Sequence, residues 1–222
     1  MCSSCDVGEW PTSIKLLTRR LKDDVMISEK NLLQQSAFFA KLSNYVYNDL
    51  KFMRSNYEDY DVNYYSHKGS DAFTLEDEND FIIACRGTEV KQISDIKADL
   101  SISKTEVPHG KIHIGFNHYV DKIWPEIAMN ALKVKNKKLW VTGHSLGAAM
   151  ATIMAYRFAT YDAVCTPAGL FTYGSPRVGN RTFINYFNTL PFEHHRWVND
   201  GDIITKIPLA PFFYHSGTMH HI

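Results

Sequence analysis

Apolar positions change their spacing several times along the chain, and each change predicts an element. Leu32, Leu33, Ser36, Phe39, Ala40 and Ser43 recur at three- and four-residue steps, continued by Tyr47, which predicts a helix of about four turns. The tyrosine-rich stretch from Tyr57 to Tyr65 is polar and predicts no element. Ala72–Leu75 and Phe81–Cys85, separated by the acidic run Glu76–Asp80, predict two strands joined by a solvated turn. Gly87 to Gly115 shows little periodicity, after which helical spacing returns from Phe116 to Leu132, interrupted at Pro125. Lys133, Lys135, Lys137 and Lys138 follow, where cations complement a helix C-terminus. Leu139–Thr142 predicts a buried strand, Ala148–Phe158 an apolar helix, Gly169–Tyr173 a strand, and Arg196–Asn199 the last strand. Alternating strands and helices predict an α/β fold, with a mostly parallel central sheet flanked by helices.

Composition narrows the class of protein. At 222 residues, 45% hydrophobic and 22% charged, the chain reads as a single domain over 1–222, with a helical N-terminal region over about 1–55. It has no internal repeat and no linker rich in Pro, Gly or Ser. Lys plus Arg and Asp plus Glu both number 24, so the basic footprint of a nucleic-acid binder is absent and no nucleic-acid partner is expected. Cys2, Cys5, Cys85 and Cys165 are expected as free thiols, with S-acylation of Cys2 and Cys5 the alternative for a mobile terminus. The first residues show neither a basic nor an apolar leader, which places the protein in the cytoplasm. The longest apolar stretch, Leu146–Tyr156, is shorter than the ~20 residues a membrane span needs.

The chemistry concentrates at Gly143-His144-Ser145-Leu146-Gly147, a G-x-S-x-G pattern lying between a predicted strand and a predicted helix. That context is a nucleophile elbow, in which a sharp turn exposes the serine and the flanking glycines avoid collision with neighbouring backbone. Serine needs an imidazole to take its proton, and the imidazole needs a carboxylate to orient it. In such folds the chain order is serine, acid, histidine. Asp162, Glu193, Asp200 and Asp202 are the carboxylates after Ser145. Asp200 and Asp202 are better placed because they follow a buried strand, and Asp200-Gly201 reads as the turn itself. Among the histidines beyond, His220 and His221 fall at a fraying terminus, whereas His215 follows the apolar run Pro211–Tyr214. His194 and His195 precede the acid, and His144 points away from its neighbour Ser145, so these three are the weaker candidates.

Five blocks together resemble the class 3 (fungal-type) lipase family of the α/β-hydrolase superfamily. They are Cys85-Arg86-Gly87-Thr88, Asp95–Leu100, Ile112–Phe116, Val141–Ala148 and Tyr173–Asn180, and the resemblance runs from about Phe81 to His215. It implies oxyanion-hole donors at Thr88 and Leu146, an acid at Asp202 and a histidine at His215, with Arg86 and His113 as scaffold. Cys85 stands where the family has an aromatic residue, a repacked strand position. His215 follows Asp202 by thirteen positions, a shorter interval than in secreted fungal members, which implies a more open pocket. The resemblance also implies a lid within Glu89–Leu100, where Val90, Ile93, Ile96 and Leu100 form one narrow apolar stripe. Weak interfacial activation is expected, or none if the segment is a fixed surface element that never moves.

The expected function is that of a serine hydrolase, a lipase or esterase cleaving lipid carboxylic esters through an acyl-enzyme. Ser145, Asp202 and His215 are its expected triad, and neither cofactor nor metal is required. The expected partner is a lipid or ester substrate, with transient contact to a membrane or lipid surface. A phospholipase A-type or galactolipid-specific activity stays open, as does a non-catalytic lipase-like scaffold.

Overall fold

The computed structural model describes residues 26–87, 102–134, 136–161, 165–208 and 210–222. The expected lid, Thr88, Asp162 and the Cys2/Cys5 terminus lie outside the described residues.

Helix α1 spans Leu32–Tyr45, and Asn31 and Gln34 close a reciprocal capping box at its start. The stripe that predicted it is shifted: Leu32 and Leu33 are exposed in the first turn, while Ser36, Phe39, Ala40 and Ser43 are buried with Ala37, Phe38 and Leu42. The buried hydroxyl of Ser43 meets Thr142 Oγ1 at 2.8 Å. Helix α2, Leu50–Asn56, is capped by Asp49.

Strands β1 (Asp61–His67), β2 (Ser70–Glu76) and β3 (Asp80–Cys85) form an antiparallel meander. The first was missed in the sequence because an edge strand half open to solvent lacks a continuous apolar face. The acidic turn before β3 is only partly solvated. Asp80 is buried and accepts the Trp140 indole N–H at 2.7 Å. Lys137 closes over the same turn, donating to Glu76 Oε1 at 2.6 Å and to the Asp77 carbonyl at 2.5 Å, so it staples two strands besides following a helix end.

A small hairpin, β4 (Lys104–Val107) and β5 (Gly110–His113), leads into helix α3, Ile114–Lys133. The interruption expected at Pro125 does not occur. Pro125 lies on the exposed face, where water can satisfy the carbonyl that loses its helical donor. Next come β6 (Lys138–His144), α4 (Leu146–Thr160), β7 (Gly169–Tyr173), α5 (Arg181–Phe187), β8 (Glu193–Val198) and β9 (Thr218–His221).

The main sheet runs β1-β2-β3-β6-β7-β8-β9, parallel from β3 onward. Alternation along each strand divides the core into two layers. Ile83, Val141 and Leu170 pack against α3, α4 and α5, whereas Ile82, Ala84, Trp140 and Phe171 pack against α1. Helix α4 is apolar almost all round because it is enclosed by the sheet on one side and α3 on the other. Strand β9 corrects the expectation of a frayed terminus, since it pairs in parallel with β8 from His195–Thr218 to Val198–His221. No helix among the described residues is long and apolar enough to cross a membrane.

Candidate active site

Parallel strands all point their carboxyl ends to one edge, and the turns after β6, β7 and β8 converge there. Ser145 occupies the turn between β6 and α4 with φ 55° and ψ −125°, a conformation that non-glycine residues rarely adopt. It is held from both sides, because its amide donates to the Tyr173 carbonyl at 3.0 Å and its carbonyl accepts from Ala148 N at 2.9 Å. Both glycines of the motif are sterically required. A Cβ on Gly143 would come within 2.3 Å of the Gly147 carbonyl oxygen, and one on Gly147 within 2.3 Å of the Cys85 carbonyl oxygen. Leu146 is the first residue of α4, so its amide belongs to the helix-terminal donors that have no intrahelical acceptor. An oxyanion formed at Ser145 would meet that donor and the positive end of the helix dipole.

Asp202 enters the same edge from the turn after β8. Its amide donates to the Asn199 carbonyl at 2.9 Å, and its Oδ1 accepts from Ile204 N at 2.8 Å, which fixes the carboxylate in a short Asx turn. Its Oδ2 lies 2.6 Å from where a Cβ on Gly174 would stand. Gly174 has φ 55° and directly follows Tyr173, whose carbonyl holds the Ser145 amide. The nucleophile and the acid therefore abut one turn from opposite sides. Gly174 was not singled out as a site residue in the sequence, although the break of a strand at Gly-Ser-Pro was the available signal.

His215 is not brought to either of them. Its Nε2 lies 2.7 Å from the Thr205 carbonyl. A carbonyl only accepts, so Nε2 carries the proton. Burial, with Arg196 next, lowers its pKa to about 4; the Thr205 carbonyl opposes them and Arg177 adds to the lowering. In this geometry the ring nitrogen expected to serve as the base is donating to the Thr205 carbonyl instead.

Six other histidines also have partners among the described residues. His144 Nδ1 meets Tyr47 Oη at 3.1 Å, with burial lowering its pKa to about 4. His113 caps α3, its Nδ1 accepting from the amides of Gly115 at 3.1 Å and Phe116 at 3.3 Å. His194 is bonded to Thr172 and Ser216, and His195 bridges Glu193 and His220. His220 also stacks on Trp197, and His221 pairs with the exposed Asp200, so Asp200 is a surface turn residue. Arg86 lies over the Tyr47 ring. Tyr47 went unnoticed as a neighbour of the elbow; its distance of 97 residues from His144 leaves no local signal.

Set beside known proteins, residues 82–212, more than half the chain, match the family model described as Lipase (class 3). A lipase of Rhizomucor miehei is 32% identical over 157 residues, which cover 66% of this chain and 43% of that protein. A secreted mono- and diacylglycerol lipase of Fusarium solani is 37% identical over 111 residues, covering 46% of this chain and 31% of the relative. The chain thus spans less than half the length of these relatives. The solved triacylglyceride lipase of Rhizomucor miehei superposes with a TM-score of 0.76 at 24% identity, over 89% of this chain and 82% of that one, and so shares the fold.

These relatives overturn the cytoplasmic expectation, since the Fusarium protein is by name secreted. A free thiol among the described residues does not bear on the compartment either. Cys85 is free because it is buried against Met154 Sδ at 3.6 Å, and packing of that kind is indifferent to the redox compartment.

Proposed function

This chain belongs to the class 3 lipase family, and from that membership we propose that it hydrolyses carboxylic esters of lipids through an acyl-enzyme on Ser145. The observation that carries the reading is the strained backbone of Ser145, held by the Tyr173 carbonyl at the start of α4. A serine held at φ 55° between two sterically obligatory glycines costs stability that glycine would not.

In this scheme Ser145 Oγ attacks the ester carbonyl carbon while an imidazole takes its proton. The carbonyl oxygen becomes an alkoxide, stabilised by the Leu146 amide and by Thr88, the second donor that the family pattern assigns. Collapse of the alkoxide expels the alcohol, which receives the proton back from the imidazolium. Water then repeats the sequence to release the fatty acid. Asp202 supplies the negative charge that orients the imidazole and balances its positive form. The substrate class follows the family, with glycerol esters favoured by the mono- and diacylglycerol lipase among its relatives. Contact with a lipid surface is transient, and Glu89–Leu100 is the segment assigned as a lid with little interfacial activation.

The test is hydrolysis of p-nitrophenyl esters of rising chain length, with mono-, di- and triacylglycerol, phospholipid and galactolipid alongside. Turnover of acylglycerols that disappears in Ser145→Ala is the expected result. Turnover that survives in Ser145→Ala overturns the nucleophile assignment, and the absence of turnover on every ester favours a non-catalytic scaffold.

A further inference from the structure

The turn that carries Asp202 is short and polar. After the Asx turn, Thr205 Oγ1 donates back to the Asp202 carbonyl at 2.8 Å, and Ile204–Lys206 make a single 3₁₀ turn. These bonds lie within the turn itself.

Two side chains from outside attach it. Arg177 Nη1 donates to the Lys206 carbonyl at 2.5 Å and to the Pro208 carbonyl at 3.0 Å, and the Arg177 amide donates to the Ile207 carbonyl at 2.8 Å. His215 donates from Nε2 to the Thr205 carbonyl at 2.7 Å, three residues from the carboxylate. Its own backbone is firmly mounted. Tyr214 N donates to the Gly179 carbonyl at 2.8 Å and Val178 N to the Tyr214 carbonyl at 3.2 Å, while Ser216 Oγ meets His194 Nδ1 at 3.1 Å and Gly217 N donates to Asn188 Oδ1 at 3.0 Å. Phe213, fully buried beside the His113 ring, anchors the segment from the other side.

We propose that His215 is a positioning residue, whose Nε2–H clamps the Thr205 carbonyl and so holds the Asp202 carboxylate against Gly174. The clamp rests on the assignment of Ser145 and Asp202 made above. It explains why a histidine serves here: the ring is rigid, it reaches across from a fixed segment, and it donates to a carbonyl in its neutral form. It also gives Nε2 a partner other than Ser145.

Three variants and one spectroscopic measurement test this. His215→Gln preserves a donor at nearly the Nε2 position, His215→Ala removes it, and Ser145→Ala removes the nucleophile. Loss of one such hydrogen bond should lower kcat about tenfold in the alanine variant at unchanged KM, with glutamine restoring most of it. The pH profile of the glutamine variant should keep the apparent pKa of the wild type. A glutamine variant that melts like wild type yet is as inactive as Ser145→Ala would make His215 the base and overturn the clamp. Activity persisting in Ser145→Ala would instead strike the nucleophile assignment. The clamp itself is then decided by nitrogen-15 spectra of labelled histidine. A His215 ring protonated at Nε2, with slow exchange and no change on phosphonylation of Ser145, supports it; a ring protonated at Nδ1 or shifted by the adduct overturns it.

Discussion

Alanine at Gly147 would place a methyl carbon 2.3 Å from the Cys85 carbonyl oxygen and 2.9 Å from the Arg86 carbonyl carbon. Both are backbone atoms at the end of β3, so no change of rotamer relieves the contact. Restoring ordinary van der Waals distance requires α4 to move about 1 Å away from β3. Two effects on stability oppose each other. Alanine is better than glycine in a helix by up to about 1 kcal/mol, and overpacking of this kind costs about 1–3 kcal/mol. The net should be a loss of about 1 kcal/mol, or roughly 2–4 °C in the melting temperature of a chain this long. Catalysis should suffer more, because Ser145 and the Leu146 amide ride on α4 while Asp202 does not. Misplacement of reacting groups by about 1 Å costs on the order of 10²-fold. The assay is the second-order rate of labelling by a fluorophosphonate, run beside a thermal melt, with Gly201→Ala as control because a Cβ there meets nothing within 4 Å. Wild-type labelling together with an unchanged or raised melting temperature in Gly147→Ala would refute the steric argument for the elbow.

Asp202→Asn should lower kcat by roughly 10⁴-fold, the size seen when a triad acid loses its charge, with little change in melting temperature; an active variant would remove Asp202 from the site. Asp80→Ala should cost about 1–3 kcal/mol in a urea melt, because it strands the buried Trp140 indole N–H, and Asp80→Asn should recover part of that; equal stability of all three proteins would contradict the buried bond. His194 is lowered to about 3, chiefly by burial and then by Arg196, His195 and His215. A depressed histidine pKa means the unfolded chain binds the proton more readily, so stability is full above about pH 6.5 and falls as pH drops toward 3. Urea midpoints between pH 7 and 4 should fall less steeply in His194→Gln than in wild type, and parallel curves would contradict this.

Much of the fold was legible because its strands are buried on both faces and its helices carry one apolar stripe. Gly143–Gly147 was legible for a different reason: a steric requirement of backbone against backbone leaves glycine at both flanks, and no distant residue is needed to read it. Strand β1 was missed because an edge strand has no continuous apolar run, and β9 because four residues ending in two histidines carry almost no pattern. Pro125 misled because its cost depends on which face it occupies, and a sequence does not state that. Asp202 could be placed by its position after a strand, whereas His215 could not be placed by order alone. The short interval of thirteen positions was read as a more open pocket. The loop between them is tied at Arg177 and at Tyr214, and the His215 imidazole bonds the Thr205 carbonyl.

The central claim is that Ser145 is the nucleophile, and the most direct measurement is peptide mapping by mass spectrometry after reaction of the folded protein with a fluorophosphonate. The account predicts one phosphonyl adduct, on the peptide containing Gly143–Gly147 and located at Ser145, which disappears on unfolding in urea before the reagent is added. An adduct on any other serine, or equal labelling of the folded and unfolded chains, would contradict it.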